Sequence, residues 1–295
     1  MVNGDRKLNI QAITIHHLGG PWPSKSPPAG QQVSFSSHAE TKSAPNSSPS
    51  QLCTSSLQNS KVPVIFSHAP FLTNEDQKTL RENDLFVSIT PESEAHYGHG
   101  QTTGSQITDK ACLGIDTNWT FSGDILSQAR FWLQHVRLTN YQHTLVASGR
   151  IPNANPFPVT EAFLMATRQG GRALRRDDIG VVQVGAKADL VVFNGDSPNM
   201  LGWSDPIAAV VLHANPGDVE HVLVDGEFRK RDFRLVDDGG SMAWNQVRTR
   251  FVEAARRIQS QMVDPPSLGE KLWGVSEFGD VERVSTRPPC GCVHP

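Results

Sequence analysis

The chain has 295 residues, 37% of them hydrophobic, which is enough to bury a substantial core in one large domain or two modest ones. Its formal net charge of -3 gives no electrostatic basis for binding nucleic acid or an anionic membrane surface. No apolar run approaches the ~20 residues of a membrane-spanning helix, and the first residues lack the apolar segment of a signal peptide. We therefore expect a cytoplasmic protein that uses neither membrane nor nucleic acid, with free cysteines.

The first predicted element is a buried strand over residues 8–16, which ends in His16 and His17 just before a Gly-Gly-Pro turn. We assign residues 1–22 to this strand and its flanks. Residues 23–61 are rich in Ser, Pro, Gln, Asn and Thr and contain few large apolar side chains. Such a segment cannot offset its own ordering entropy, so we predict a disordered insert there.

Residues 62–180 alternate between strand and helix patterns. The predicted strands cover 62–68, 85–90 and 111–116, and the predicted helices cover 73–83, 124–138 and 160–173. Thr73 is the expected N-cap of the first helix, with Asp76 three residues later. This alternation is typical of parallel strands joined by crossover helices.

The pattern changes after residue 180. Two extended runs, 188–193 and 219–230, fall within residues 181–240, and Asp225-Gly226 interrupts the second run with a type I′ hairpin signal. Residues 241–265 hold an amphipathic C-terminal helix, and residues 266–295, with Pro, Gly and Cys but no periodicity, predict a loose tail.

Three predicted strands end in side chains that bind metals, namely His16, His68 and Asp116. The carboxyl ends of parallel barrel strands open on one face, so these side chains are expected to converge. Imidazole and carboxylate suit zinc, iron or manganese, although each residue taken alone is equally consistent with a structural role at a strand end.

Other polar side chains follow the predicted strand over 85–90. Glu92 and Ser93 are candidates to face a substrate, while His96 and His99, spaced i, i+3, either line the pocket or lie on the surface. His17 is interpreted as a neighbour of the site and not as a ligand.

Several short segments resemble one known family. Ser67-His68-Ala69, Thr90-Pro91-Glu92-Ser93 and Leu113-Gly114-Ile115-Asp116-Thr117 resemble the ends of the sixth, seventh and eighth strands of the amidohydrolase superfamily. The similarity is to its branch of cytosine deaminases, adenosylhomocysteine deaminases and triazine hydrolases, including fungal relatives. Residues 180–193 resemble the superfamily's C-terminal signature. The resemblance implies an α/β fold, the second half of a (β/α)8 TIM-type barrel, with strands of a small C-terminal β-sandwich over residues 181–240.

The resemblance also implies roles. His16 matches a metal ligand of the fifth strand, Asp116 binds the metal and takes the proton of the attacking water, and His68 contacts that water or the substrate. Glu92 and His96 are the further expected substrate contacts. The implied reaction is hydrolysis of a non-peptide C–N bond in a small cyclic or amide substrate by water activated on a divalent metal, zinc with iron or manganese as alternatives.

Two departures from the family pattern leave an alternative open. The family's first-strand His-x-His ligand pair occurs nowhere in the sequence, and Gly19 stands where deaminase members carry a glutamate. The first strand here matches the family's fifth, so the chain resembles only the C-terminal part of such an enzyme. The alternative is a truncated, catalytically inactive remnant without bound metal. A half barrel would also leave an exposed sheet edge, from which we expect self-association.

Overall fold

The computed structural model describes residues 12–18, 48–53, 60–100, 103–236, 244–265, 267, 269–272 and 276–282. A four-stranded parallel sheet has its strands in chain order across the sheet. They are β1 (Ile13–His17), β2 (Val64–His68), β3 (Phe86–Ile89) and β4 (Ala111–Leu113). Each strand pairs in parallel with the next, which confirms the predicted α/β fold with part of a barrel; no closed barrel forms among the described residues.

Helices connect and cover this sheet. Before β3 lie α1 (Pro49–Leu52) and α2 (Asn74–Glu82), and α3 (Pro91–His96) follows it. After β4 come α4 (Ile125–Ser148), α5 (Val159–Ala166), α6 (Arg168–Ala173), α7 (Pro206–Leu212) and α8 (Trp244–Gln259). Single 3-10 turns occupy Gly104–Gln106, Thr108–Lys110 and Pro216–Asp218. Within these ranges no helix has the length and apolar character to cross a bilayer.

Side-chain alternation along the strands divides the interior into two clusters. On one face Phe66 of β2 and Val87 of β3 pack into the main core with Trp132 and Leu133 of α4, all of them at most 1% exposed. On the other face Phe86 joins Cys112 and Ala173 in a smaller cluster. The main core therefore fixes the helices against one side of the sheet, and the strand ends are held in place by it.

Helix boundaries differ from the predictions in two places. Helix α4 continues ten residues beyond the predicted end at 138 and stops where Gly149 adopts a left-handed conformation, with φ of 63°. The single helix predicted over 160–173 is two helices, broken at Thr167. The backbone of α6 lies against the following loop so closely that a Cβ on Gly171 would come within 2.6 Å of the Ile179 carbonyl oxygen.

The second half of the chain contains the predicted hairpin. An antiparallel sheet is formed by β5 (Leu190–Phe193), β6 (Val219–Val224), β7 (Glu227–Arg231) and β8 (Arg234–Leu235), in that order. Asp225 and Gly226 connect β6 to β7 with φ values of 50° and 85°. Positive φ at both central residues is the property of a type I′ turn, so the turn prediction is confirmed.

The predicted disordered insert and the predicted loose tail each contain a short ordered element, so both predictions are wrong in part. Within the predicted insert, residues 48–53 are described and contain α1, because Ser50 is anchored on α2; residues 23–47 and 54–59 lie outside the described residues. Within the predicted loose tail, β9 (Lys271–Leu272) pairs antiparallel with β10 (Ser276–Glu277). Lys271 and Glu277 support that short ladder with an ion pair of 3.1 Å. In the first predicted strand, residues 8–11 lie outside the described part, and β1 extends to residue 17.

The start of α2 is the anchor for the 48–53 segment. Asp76 is 1% exposed, and its carboxylate accepts hydrogen bonds from the amide and hydroxyl of Thr73 at 3.0 and 2.7 Å. It also accepts from the amide and hydroxyl of Ser50 at 2.9 and 2.6 Å. The Thr73 side chain caps Asp76 in return, so the predicted N-cap is confirmed as a full capping box. Burial acts to raise the pKa of Asp76, but the bonds from Ser50 and Thr73 together outweigh it and leave this pKa below its usual value.

We expect Asp76→Ala to lower the free energy of unfolding by about 2 kcal/mol at neutral pH, since four donors lose a charged acceptor. A carboxylate with a depressed folded-state pKa stabilises the fold above its unfolded pKa, about 3.9, and this contribution is lost as pH falls through the folded value. Urea unfolding of wild type and variant should therefore give a difference that shrinks below about pH 4. Glu75→Ala, at the exposed neighbouring position, is the control and should change stability by less than about 0.5 kcal/mol. A difference that persists undiminished in acid would contradict this assignment.

Candidate active site

The ends of β1 and β2 bring two histidines together. The parallel register pairs His16 with Ser67 and His17 with His68. The rings of His16 and His68 lie edge to face, with centroids 4.7 Å apart. His17 points to the opposite face, where it is 2% exposed and its ring lies 6.4 Å from that of Phe66. Alternation along β1 thus separates the two adjacent imidazoles, and the His16 ring is the one that packs against the ring of His68 at this edge.

The backbone leaves the strand direction at His68. His68 and Ala69 have φ values of 70° and 47°, a region that side chains with a Cβ rarely adopt. The amide of Ala69 donates to the carbonyl oxygen of His17 at 2.7 Å and holds this turn against β1. Strained backbone held by its surroundings is often found at functional sites.

Asp116 reaches the same edge of the sheet from the end of β4. The predicted strand over 111–116 ends at residue 113, because the chain turns there and Asp116 has a φ of 66°. Gly114 permits this path, since a Cβ at that position would lie 2.7 Å from the Ser88 hydroxyl oxygen. The hydroxyl of Ser93, itself fully buried, donates to Asp116 Oδ2 at 2.5 Å. Ser93 thereby orients the carboxylate.

His99 joins this cluster, whereas His96 contacts other residues. The His99 ring lies 5.4 Å from the ring of His68, after a turn in which Gly98 has a φ of 67°. The His96 ring packs edge to face against Tyr97 and Phe121, at 5.0 and 5.1 Å. Both histidines are candidates from the sequence, and their i, i+3 spacing alone does not distinguish the one in the cluster from the other. A substrate contact by His96 stays a prediction.

Glu92 is hydrogen-bonded to α4 and to the loop that precedes this helix. Its carboxylate accepts from the Gln128 amide at 2.8 Å, from the Ser122 amide at 3.1 Å and from the Ser122 hydroxyl. The Glu92 amide in turn donates to Gln128 Oε1 at 3.1 Å. These bonds tie α3 to α4, and a role of Glu92 in substrate binding stays a prediction.

The imidazoles of the cluster have lowered proton affinity. Although part of the His16 side chain meets solvent, desolvation of its ring is the largest cause that lowers its pKa to about 4, followed by the charges of His68 and His99. Burial and the charge of His68 likewise lower the pKa of His99 to about 4. Asp116 acts in the opposite direction on both pKa values. Both rings are therefore neutral at pH 7, and a neutral imidazole is the form that binds a metal.

The three candidate metal ligands do not lie close enough together to form a compact coordination site. Among the residues that the structure describes, one group of three can offer one metal-ligand atom from each residue with all three atoms within 4.8 Å of one another, and it consists of Glu220, His221 and Asp232. That group lies on the antiparallel sheet, and His221 Nδ1 there already accepts from the Asp232 amide at 3.1 Å. His16, His68 and Asp116 converge more loosely.

These observations define the class of protein: a parallel α/β half barrel with imidazole and carboxylate side chains at its strand ends. Residues 49–229 match the Amidohydrolase family, and the chain belongs to this family. The matched span is more than half of the chain and contains His68 and Asp116, while His16 precedes it.

Similar proteins include deaminases of nucleoside derivatives. A 5-methylthioadenosine/S-adenosylhomocysteine deaminase of Desulfitobacterium hafniense is 30% identical over 174 residues, 59% of this chain and 38% of that protein. A 5'-deoxyadenosine deaminase of Methanosphaera stadtmanae is 27% identical over the same length, 59% of this chain and 39% of that protein. The chain thus spans about two fifths of the length of these curated relatives.

Solved structures show the same fold. A zinc-bound adenosine deaminase from Xanthomonas campestris superposes with a TM-score of 0.55 at 20% identity, over 67% of this chain and 43% of that one. An atrazine chlorohydrolase from Arthrobacter aurescens, complexed with zinc, gives a TM-score of 0.55 at 18% identity, over 64% of this chain and 40% of that one.

We expect the titrations of His16 and His99 to respond to their neighbours with opposite signs. In wild type, NMR pH titration of both rings should give midpoints near pH 4. His68→Gln removes a like charge and should raise both midpoints toward the ordinary value of about 6.5. Asp116→Asn removes the opposite charge and should lower them. Midpoints near 6.5 in wild type, or shifts of the same sign in the two variants, would contradict the proposed proximity.

Proposed function

We propose that this chain contributes His16, His68 and Asp116 to a metal-dependent hydrolase site. The reaction would be hydrolysis of a non-peptide C–N bond in a small cyclic or amide substrate. The single observation that carries the proposal is that the His16 and His68 rings pack together at the carboxyl ends of β1 and β2, with Asp116 after the end of β4 in the same parallel sheet, in a chain of the amidohydrolase family.

The donor set fits a divalent metal. His16 offers a ring that stays neutral down to about pH 4, and Asp116 offers a carboxylate held by Ser93. Imidazole nitrogen and carboxylate oxygen are ligands that zinc accepts, and iron or manganese also accept them. When bound, such an ion lowers the pKa of coordinated water and so supplies a nucleophile at neutral pH.

The residues of the chain have separate tasks in this proposal. Asp116 would take a proton from the attacking water, as the family resemblance implies, and the hydrogen bond from Ser93 to Oδ2 would orient its carboxylate for this. His68, one ring away from both His16 and His99, is placed to contact that water or the substrate. Glu92 and His96 are the further proposed contacts to the substrate.

Two observations bear on which substrate the proposed hydrolase would accept, namely the substrates named for its relatives and the glycine at position 19. The relatives act on adenosine derivatives, which favours a small nitrogen heterocycle. Gly19, at the position where deaminases carry a glutamate, favours a hydrolase that works without this proton shuttle. The second candidate is a remnant without activity, and the absence of a His-x-His sequence supports it, because His16 and Asp116 alone leave several coordination positions unfilled.

Location and partners are part of the proposal. A small molecule is the proposed substrate, and the cytoplasm is the proposed location. Self-association is proposed from apolar side chains of α8 that meet solvent, such as Phe251 at 71% and Ile258 at 60% exposure.

We expect purified protein loaded with zinc and desalted to retain near-stoichiometric metal, and His16→Ala or Asp116→Ala to lower that content at least tenfold, since each removes a ligand. His143→Ala, on the exposed side of α4, is the control and should retain wild-type metal content. Elemental analysis provides the measurement.

Turnover is measured with the same preparations. Ammonia release from 5'-methylthioadenosine and chloride release from a chlorotriazine test the two kinds of leaving group. Turnover by the zinc-loaded wild type that is lost together with the metal in Asp116→Ala would support the hydrolase. A wild-type chain that holds no metal and releases neither product would support the remnant.

A further inference from the structure

A buried hydrogen-bond chain connects His68 to α3. His68 Nδ1 lies 2.8 Å from the hydroxyl oxygen of Thr90, and both residues are 5% exposed. Because water has little access to this contact, one of the two atoms must donate and the other must accept. The direction of that bond decides which ring nitrogen of neutral His68 carries the proton.

Glu94 sets the direction of this bond. Its side chain is buried at 1% exposure, and Oε1 accepts from the Thr90 amide at 2.9 Å. The same oxygen lies 3.4 Å from the Thr90 hydroxyl and 3.5 Å from His68 Nδ1. A carboxylate only accepts, and the hydroxyl has a single proton. When that proton faces Glu94, the hydroxyl oxygen presents a lone pair to His68.

The opposite arrangement brings two acceptor atoms together. If His68 carried its proton on Nε2, the lone pair of Nδ1 would lie 3.5 Å from Glu94 Oε1, an oxygen that accepts from the Thr90 amide. The hydroxyl of Thr90 would also have to turn away from the carboxylate. Both acceptors around Nδ1 therefore favour a proton on that nitrogen.

We propose that Thr90 and Glu94 are positioning residues that hold neutral His68 as the tautomer protonated on Nδ1. Nε2 is then the nitrogen with a free lone pair, ready to accept a hydrogen bond or a proton from water or substrate. This consequence for catalysis rests on the proposed function, whereas the tautomer itself depends only on the buried contacts. Neither residue touches the substrate in this assignment, and both act through His68.

The tautomer can be read directly by long-range proton–nitrogen NMR of the full chain, without metal and without turnover. His68→Gln identifies the His68 signals among those of the 11 histidines. In wild type at a pH where the ring is neutral, we expect Nδ1 to give the protonated signal and Nε2 the unprotonated one. Thr90→Val and Glu94→Gln should each lower the ratio of Nδ1-protonated to Nε2-protonated forms by about tenfold, the effect of one hydrogen bond. Thr90→Ser keeps the hydroxyl and should restore the wild-type ratio.

Glu92→Gln is the matched control for the tautomer measurement, because it makes the same change on the same helix but faces Ser122 and Gln128. Its His68 ratio should equal that of wild type. Predominant protonation on Nε2 in wild type would overturn the assignment, even if Glu94→Gln failed to fold. A ratio unchanged in both Thr90→Val and Glu94→Gln would overturn it as well. Since no step of the measurement needs activity, an inactive chain with the expected tautomer would refute the proposed function alone.

Discussion

The parallel ladder between β1 and β2 is the constraint on which the candidate site depends. It pairs five consecutive residues, from Ile13 with Val64 to His17 with His68, and thereby fixes His16 next to the end of β2. Side chains alternate with a period of two, so a slip of one residue would turn His16 toward the helices and His17 toward the site. The apolar residues of β1 resist such a slip, since Ile13 and Ile15 pack against the main core. The same burial that stabilises the sheet therefore selects the imidazole that reaches the site.

The other side chains of the candidate site come from positions where the chain leaves the sheet. His68 and Asp116 both have positive φ, so each side chain departs from the direction that its strand would impose. The neighbouring structure holds these conformations: the carbonyl of His17 binds the turn after His68, and Ser93 binds the carboxylate of Asp116. A strained strand end costs of order 1–3 kcal/mol, which the packed core of β2 and β3 must offset. Precise placement at the strand ends thus depends on the rigidity of the sheet below them.

The sequence allowed the sheet to be predicted because each strand end combines an apolar run with a polar side chain and a break. His16, His68 and Asp116 could be placed at one edge for this reason, since parallel strands share the direction of their carboxyl ends. The choice between His96 and His99 could not be made, because it depends on the turn at Gly98 and on contacts with Phe121, which lies 22 residues beyond His99. The break at Thr167 was missed for a similar reason, since the close approach of Gly171 to Ile179 involves a loop with no periodic pattern. The composition of residues 48–53 predicts disorder, but Ser50 is held by the carboxylate of Asp76, which is distant in the sequence and so does not enter a prediction from local composition.

Electrostatics links the geometry of the cluster to the choice between enzyme and remnant. The pKa values of His16 and His99 are lowered because desolvation and the neighbouring imidazoles disfavour the charged forms of these rings. The Asp116 carboxylate acts in the opposite direction, since it favours positive charge nearby. A site with neutral nitrogen lone pairs beside one carboxylate is suited to a metal cation that coordinates nitrogen. At pH 7 protons do not compete with such a cation for these nitrogens, because the pKa values of the rings are low. The affinity of such a site depends on the number of ligands, and the proposed ligands His16 and Asp116 would provide two of the three or four protein ligands typical of zinc sites. The strength of metal binding, more than the positions of the side chains, therefore separates the proposed hydrolase from the remnant.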